Sequence, residues 1–181
     1  GSCTAILGET GSGKTTLVRI MLALLSPQEG RVEIYNSLQK VLMTPLLRAN
    51  FVYVPQGNTL MSGTIRDNLK MGRQNATDEE IRQALMLCCA DFVYDLPDGI
   101  DTRCSEQGGG LSEGQAQRIC IARALLRNRS VMLFDEATSA LDTETEKRLL
   151  SNILARRDKT IIFITHRLAV VDYCDCCLKI S

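Results

Sequence analysis

Apolar residues recur along this chain in two rhythms. Short runs at Cys3 to Leu7, Phe51 to Val54, Val131 to Phe134 and Thr160 to Thr165 are bounded by turn-forming or charged residues and predict buried strands. Between the first two, Leu17, Val18, Ile20, Met21, Leu24 and Leu25 return at helical spacing, predicting a helix that starts near Lys14 and carries its apolar side through Leu25. Ser26 to Gly30 then reads as a turn and Arg31 to Tyr35 as a half-buried alternating strand. Asn36 to Asn50 fits no single element, and Pro45 argues against a long helix there. Pro55 stops the strand at Phe51 to Val54, which leaves Gln56 at its C-terminal end.

From Asn58 to Arg129 the strand signal disappears and helical patterns take over. Thr64 to Leu69, Thr77 to Cys89, a short piece at Asp91 to Leu96, and Ser112 to about Leu126 read as helices. Thr77 with Glu80 and Ser112 with Gln115 form capping boxes, in which hydroxyl and carboxylate or amide satisfy exposed backbone donors reciprocally. Thr143 with Glu146 opens another helix through Leu154, and His166 sits where the strand at Thr160 to Thr165 finishes. The order of elements predicts an α/β fold with a mostly parallel sheet and helices on both faces. Residues 1–57 and 130–181 would supply that core, and residues 58–129 an inserted helical subdomain. Strand ends carrying Gly8, Gln56, Asp135, Glu136 and His166 would then converge on one edge of the sheet.

The loop between the first strand and first helix reads GETGSGKTT and matches G-x-x-x-x-G-K-[ST] in full. Glycines there let successive backbone N–H groups turn inward, and the helix start adds its positive end, so the loop suits phosphate oxygens. The candidate phosphate ligands are Gly8, Thr10, Gly11, Ser12, Gly13, Lys14, Thr15 and Thr16. Lys14 would reach the β and γ phosphates, and the Thr15 hydroxyl would ligate magnesium.

Composition narrows the partners. With 181 residues and 45% hydrophobic content the chain makes one domain, or one with an insertion. Lys plus Arg equals Asp plus Glu at 21 each, so no overall field favours nucleic acid or an anionic membrane. No apolar run reaches the roughly 18 residues that suggest a membrane span, and no signal peptide is evident, so this piece is expected to be soluble. The eight cysteines are scattered through strands and helices, which fits a reducing compartment rather than a disulfide scaffold. Cys174, Cys176 and Cys177 lack the paired spacing of a zinc site and are expected as buried thiols near the last strand.

Five motifs in order make the chain resemble the nucleotide-binding domain of an ABC transporter ATPase: GETGSGKTT, Gln56 in VPQGNTL, LSEGQ at Leu111 to Gln115, VMLFDEATSALD at Val131 to Asp142, and ITHR around His166. SGTIRDNL, at Ser62 to Leu69, further resembles the exporter branch. The resemblance implies a P-loop NTPase core, with ATP and Mg2+ as ligands. Asp135 would hold magnesium through water, since a carboxylate ending an apolar strand wants a partner. Glu136 would be the general base on the attacking water. Gln56 would sense magnesium and water, and His166 would contact the γ phosphate. Ser112, Gly114 and Gln115 would close over the ATP of a second nucleotide-binding domain packed head to tail, with Asp142 near that interface. Transport across a membrane would follow through transmembrane segments elsewhere in the parent chain or complex, with the ATPase on the cytoplasmic face. Other readings of the same motifs are a soluble ABC-type ATPase and an inactive nucleotide-binding fragment.

Two departures from the family pattern stand out. Glu113 and Ser105 occupy positions where glycine is common, and Glu113 is expected to point away from the nucleotide because its carboxylate would repel a phosphate. Ser105 precedes Glu106, which the resemblance places in the loop facing the membrane domain. The sequence also starts just before the phosphate loop, short of the family's adenine-stacking aromatic. Such stacking is worth about 1 to 3 kcal/mol, so nucleotide affinity is expected to fall by roughly tenfold or more.

Overall fold

The structure, a computed structural model, describes residues 1–9, 11–105, 110–155 and 158–180. Thr10 and Glu106, both singled out above, lie outside the described residues. In chain order the elements are β1 (Cys3–Gly8), α1 (Lys14–Met21), β2 (Glu33–Tyr35), β3 (Lys40–Leu42), β4 (Phe51–Val54), β5 (Gly63–Thr64), α2 (Ile65–Lys70), α3 (Asp78–Leu87), β6 (Arg103–Cys104), α4 (Glu113–Arg127), β7 (Val131–Asp135), α5 (Thr143–Leu154), β8 (Thr160–Thr165) and β9 (Cys176–Ile180). Short 3-10 turns lie at Pro45–Asn50, Asp91–Asp95, Gly99–Asp101 and Leu168–Tyr173.

The main sheet has five strands in the order β4-β7-β8-β1-β9, and every neighbouring pair is parallel. Parallel strands need crossovers, and crossover helices cover both faces. One face carries Ile6, Phe51, Leu133 and Ile164 against Val18 and Leu22 of the first helical segment. The opposite face carries Cys3, Val52, Val54, Met132, Phe134, Ile161 and Phe163 against side chains of α2 to α5. Phe134 and Phe163, register partners on β7 and β8, stack with ring centroids 5.0 Å apart. Because all five strands run the same way, their C-terminal ends share one edge, and the loops after β1, β4, β7 and β8 gather there. Between β4 and β7 the chain leaves the sheet for α2, α3 and α4 and returns to the neighbouring strand.

Several local expectations need correction. The first helix ends at Met21 rather than running on through Leu25. Ala23 takes a left-handed conformation at φ 50°, the N–H groups of Leu24 and Leu25 both donate to the Arg19 carbonyl, and the two leucines are exposed. In the ambiguous stretch, Asn36 accepts from the Leu38 and Gln39 N–H groups at 2.9 Å each and so closes a hairpin of β2 and β3. Strand structure also returns briefly between Asn58 and Arg129, where β5 pairs antiparallel with β6.

The boxes at Thr77/Glu80 and Ser112/Gln115 form as expected, and Thr64 with Asp67 adds a third. The helix expected from Thr143 through Leu154 forms, but Thr143 and Glu146 do not cap it as a pair. Asp142 caps α5 instead, accepting from Glu144 N at 3.1 Å and Thr145 N at 2.9 Å, while Glu146 turns inward to a buried partner. Nor are the C-terminal thiols buried as a group. Cys176 and Cys177 are exposed because β9 is an edge strand. Cys174 is half-buried, with its Sγ 2.9 Å from that of Cys3.

Candidate functional site

The first glycine of the phosphate loop is required by close approach. A Cβ on Gly8 would collide with Ser12 Oγ and lie 3.0 Å from the Ile180 carbonyl oxygen. Further on, Gly11 and Gly13 sit at φ 89° and 91°, a region glycine enters without penalty. Gly13 is also the N-cap of α1 and has no side chain to offer, so the first N–H groups of the helix are left for another acceptor. Among the described residues Ser12 Oγ is buried without a hydrogen-bond partner. Lys14 is buried and folds back over the loop, its Nζ donating to the Gly8 and Glu9 carbonyl oxygens at 2.7 Å each. Gly11, Gly13, Lys14, Thr15 and Thr16 line an open cleft of about 340 Å³.

Gln56, Asp135 and Glu136 close the cleft's other side. Glu136 leaves the end of β7 in a left-handed conformation at φ 48°, with its N–H donating to the Ile164 carbonyl on β8 at 2.8 Å. A non-glycine residue held there carries strain of order 1 to 3 kcal/mol, of the kind that accumulates at functional sites. That geometry puts the carboxylate between two side chains from neighbouring loops. Gln56 Nε2 donates to Glu136 Oε2 at 3.1 Å, and His166 Nδ1 lies 3.4 Å from Oε1. The loops after β4, β7 and β8 thus meet on one carboxylate.

Asp135, 8% exposed, accepts a hydrogen bond of 2.8 Å from the Tyr53 hydroxyl. Burial first, and then this bond, push the Tyr53 hydroxyl well above its ordinary titration range, so it remains a neutral donor. Sequence reading missed Tyr53. It lies between two buried valines on β4 and pattern alone assigns it to the outward side of a strand.

The signature residues stand apart from this cleft. Ser112, Gly114, Gln115 and Asp142 are not among its lining residues. Ser112 and Gln115 are engaged with each other, Gln115 N donating to Ser112 Oγ at 3.2 Å and Ser112 N to Gln115 Oε1 at 2.9 Å. Glu113 is exposed at the head of α4, which favours a carboxylate there. Gly114 has a packing reason for its identity, since a Cβ would lie 2.8 Å from the Ala140 carbonyl oxygen.

Two further residues hold the loop after β7. Gln117, 1% exposed, accepts from Ala140 N at 3.2 Å and donates to Ser139 Oγ at 3.3 Å. Glu146, 2% exposed, accepts from Thr138 Oγ1 at 2.6 Å and from Arg167 Nη1 at 2.8 Å, and the same Arg167 nitrogen donates to the Thr138 carbonyl at 3.1 Å. Neither residue was legible as functional from its own neighbourhood in sequence. On the far side, Arg123 of α4 donates to the Thr59 carbonyl at 3.0 Å and to its hydroxyl at 2.6 Å, tying the segment after Gln56 to the helix that begins at the signature.

Strand, glycine-rich loop, helix and a second strand ending in Asp-Glu define a P-loop NTPase core. The family model described as ABC transporter matches residues 1–139, and the chain belongs to that family. An uncharacterized ABC transporter ATP-binding protein, y4gM, of Sinorhizobium fredii is 43% identical over 97% of this chain and 30% of its own length. The beta-(1→2)glucan export ATP-binding/permease protein NdvA of Agrobacterium vitis is 41% identical over 97% of this chain and 30% of its own. Among solved structures, a bacterial Atm1-family ABC exporter with ATP bound superimposes with a TM-score of 0.90 at 40% identity, covering 99% of this chain and 32% of that one. The chain therefore spans about 30% of the length of the curated relatives it matches. Among the described residues no helix is long and apolar enough to cross a membrane.

Proposed function

We propose that this chain binds ATP with magnesium in the cleft after β1 and β7 and hydrolyses it, as the engine of an exporter-type ABC transporter. The observation that carries the reading is the Glu136 carboxylate, held between Gln56 and His166 at the rim of a cleft that also contains Lys14 and Thr15. Backbone N–H groups from Gly11 to Thr16 receive phosphate oxygens, and Lys14 exchanges its two loop carbonyls for the β and γ phosphates. Glu136 accepts the proton of the attacking water as the new P–O bond forms and the bond to ADP breaks. Gln56 orients that water, and His166 steadies the γ phosphate and the base.

Magnesium suits the donor set, because the Thr15 hydroxyl, the Gln56 side chain and the Asp135 carboxylate are hard oxygen groups on one cleft. When bound, the ion offsets negative charge on the phosphates. Asp135 would hold it through water.

Ser112, Gly114 and Gln115, which do not line their own cleft, serve the ATP of a second domain packed head to tail, with Asp142 at that interface. Residues 58–129 form the helical unit that carries this signature, between core segments 1–57 and 130–181. Transmembrane segments, in the parent chain or its complex, receive the resulting motion at the cytoplasmic face of the membrane. No nucleic acid is involved. That NdvA is named an export ATP-binding/permease protein supports this assignment.

Equilibrium binding of a fluorescent ATP analogue tests the first step. Lys14→Ala removes the one cationic side chain that lines the cleft among the described residues and is expected to weaken binding by at least tenfold, since charge-assisted bonds to phosphate are worth about 1.5 to 3 kcal/mol. Equal affinity in the variant and the parent would reject the cleft as the nucleotide site.

A further inference from the structure

The most consequential contact that the motif reading leaves out is the one between Tyr53 and Asp135. Tyr53 lies on β4 opposite Leu133, and Asp135 follows two residues later on the neighbouring strand β7. Phe51 and Leu133 share one face of the sheet with α1, so strand alternation puts Tyr53 and Asp135 on that face as well. From there the tyrosine hydroxyl reaches forward along the sheet and donates to Asp135 Oδ2 at 2.8 Å. A carboxylate only 8% exposed at a strand end is costly unless its lone pairs are engaged. By occupying one oxygen, the tyrosine also restrains rotation of the carboxylate and leaves the other oxygen for the cleft.

We propose that Tyr53 is a positioning residue for magnesium, setting the orientation in which Asp135 meets the nucleotide-bound ion. The inference rests on the reading of the cleft as an ATP–magnesium site. Tyr53 does not line that cleft and acts through Asp135. Partners that orient a metal-binding group commonly change metal affinity about 10- to 100-fold when removed. The effect here belongs at or below the lower end of that range, about threefold to tenfold, because Asp135 meets the ion through water and Tyr53 acts one step further out.

The test is binding of a fluorescent ATP analogue to the full chain across a series of free magnesium concentrations. A parallel series in EDTA and a thermal melt complete the measurement. Tyr53→Phe is expected to raise the half-saturating magnesium concentration about threefold to tenfold. Its affinity in EDTA should match the parent, and its melting midpoint should fall only by the few degrees that loss of one hydrogen bond to a carboxylate costs, so the variant is still folded at the assay temperature. In an Asp135→Asn background the same substitution is expected to add no further loss, because the residue through which Tyr53 acts is already changed. An unchanged magnesium requirement in Tyr53→Phe would overturn the inference. So would an equal loss in EDTA, or an additive loss in the Asp135→Asn background, since either assigns Tyr53 a role independent of the ion. Parent protein whose analogue binding does not depend on magnesium would overturn the underlying site reading, and is distinguished by failing before any variant is compared.

Discussion

Glu136→Gln should lower the rate of ATP hydrolysis by about 10² to 10⁴, the range a positioned general base contributes. The substitution keeps the shape and one acceptor oxygen, so the bond from Gln56 Nε2 at 3.1 Å can survive while the group that takes the proton is lost. ATP affinity should stay within about threefold of the parent, because the proposed phosphate contacts come from the loop from Gly8 to Thr16 and from α1. Phosphate release in single-turnover conditions, with binding measured separately, resolves the two effects. A variant that loses binding and turnover together would place Glu136 in ground-state nucleotide recognition. A variant with parental turnover would remove it from the chemistry altogether.

The largest stability effect is expected from the buried pair beneath the loop after β7. Glu146 accepts from both Thr138 and Arg167 in a site where it is 2% exposed. Glu146→Ala leaves the Thr138 hydroxyl without this acceptor and removes the carboxylate from an Arg167 guanidinium that keeps its bond to the Thr138 carbonyl, and removal of one partner from a buried pair typically costs about 3 to 5 kcal/mol. The Arg167 side chain is 28% exposed, so solvent compensates part of the loss and about 3 kcal/mol is the expected value. For a domain of this size that is a fall of roughly 6 to 12 °C in melting midpoint. The double variant Glu146→Leu with Arg167→Met should recover most of it, because neither charge is then left buried alone. A loss below about 1 kcal/mol in Glu146→Ala would show that the pair contributes little beyond a surface bridge. Arg167 follows His166 directly, so the same variant should disturb the contact between His166 and Glu136 and reduce turnover as well as stability.

These two residues also show where sequence reading succeeds and where it stops. The loop around Lys14 was legible because its chemistry lies within nine consecutive positions, where glycine spacing alone dictates the backbone. Thr77 with Glu80 and Ser112 with Gln115 were legible for the same reason, since a capping box is a local exchange of hydrogen bonds. Convergence of Gln56, Glu136 and His166 followed from strand polarity, which the alternation of elements implies. By contrast, Thr143 with Glu146 satisfied the local rule for a capping box and still lost. Asp142 caps the helix one residue earlier, and a distant arginine and Thr138 claim the glutamate. Tyr53 and Gln117 were illegible because their partners lie 82 and 22 to 23 positions away. The apolar repeat through Leu25 misled because composition continued after the backbone had already turned at Ala23.

In the proposed arrangement each ATP is shared between the phosphate loop of one domain and the signature of another. The direct measurement is the solution mass of Glu136→Gln by light scattering over a protein concentration series, with and without ATP and magnesium. The account predicts a dimer that requires ATP and disappears when Lys14→Ala is added. A monomer at saturating ATP would contradict the shared site, and would leave this chain a nucleotide-binding module whose signature residues meet no second nucleotide.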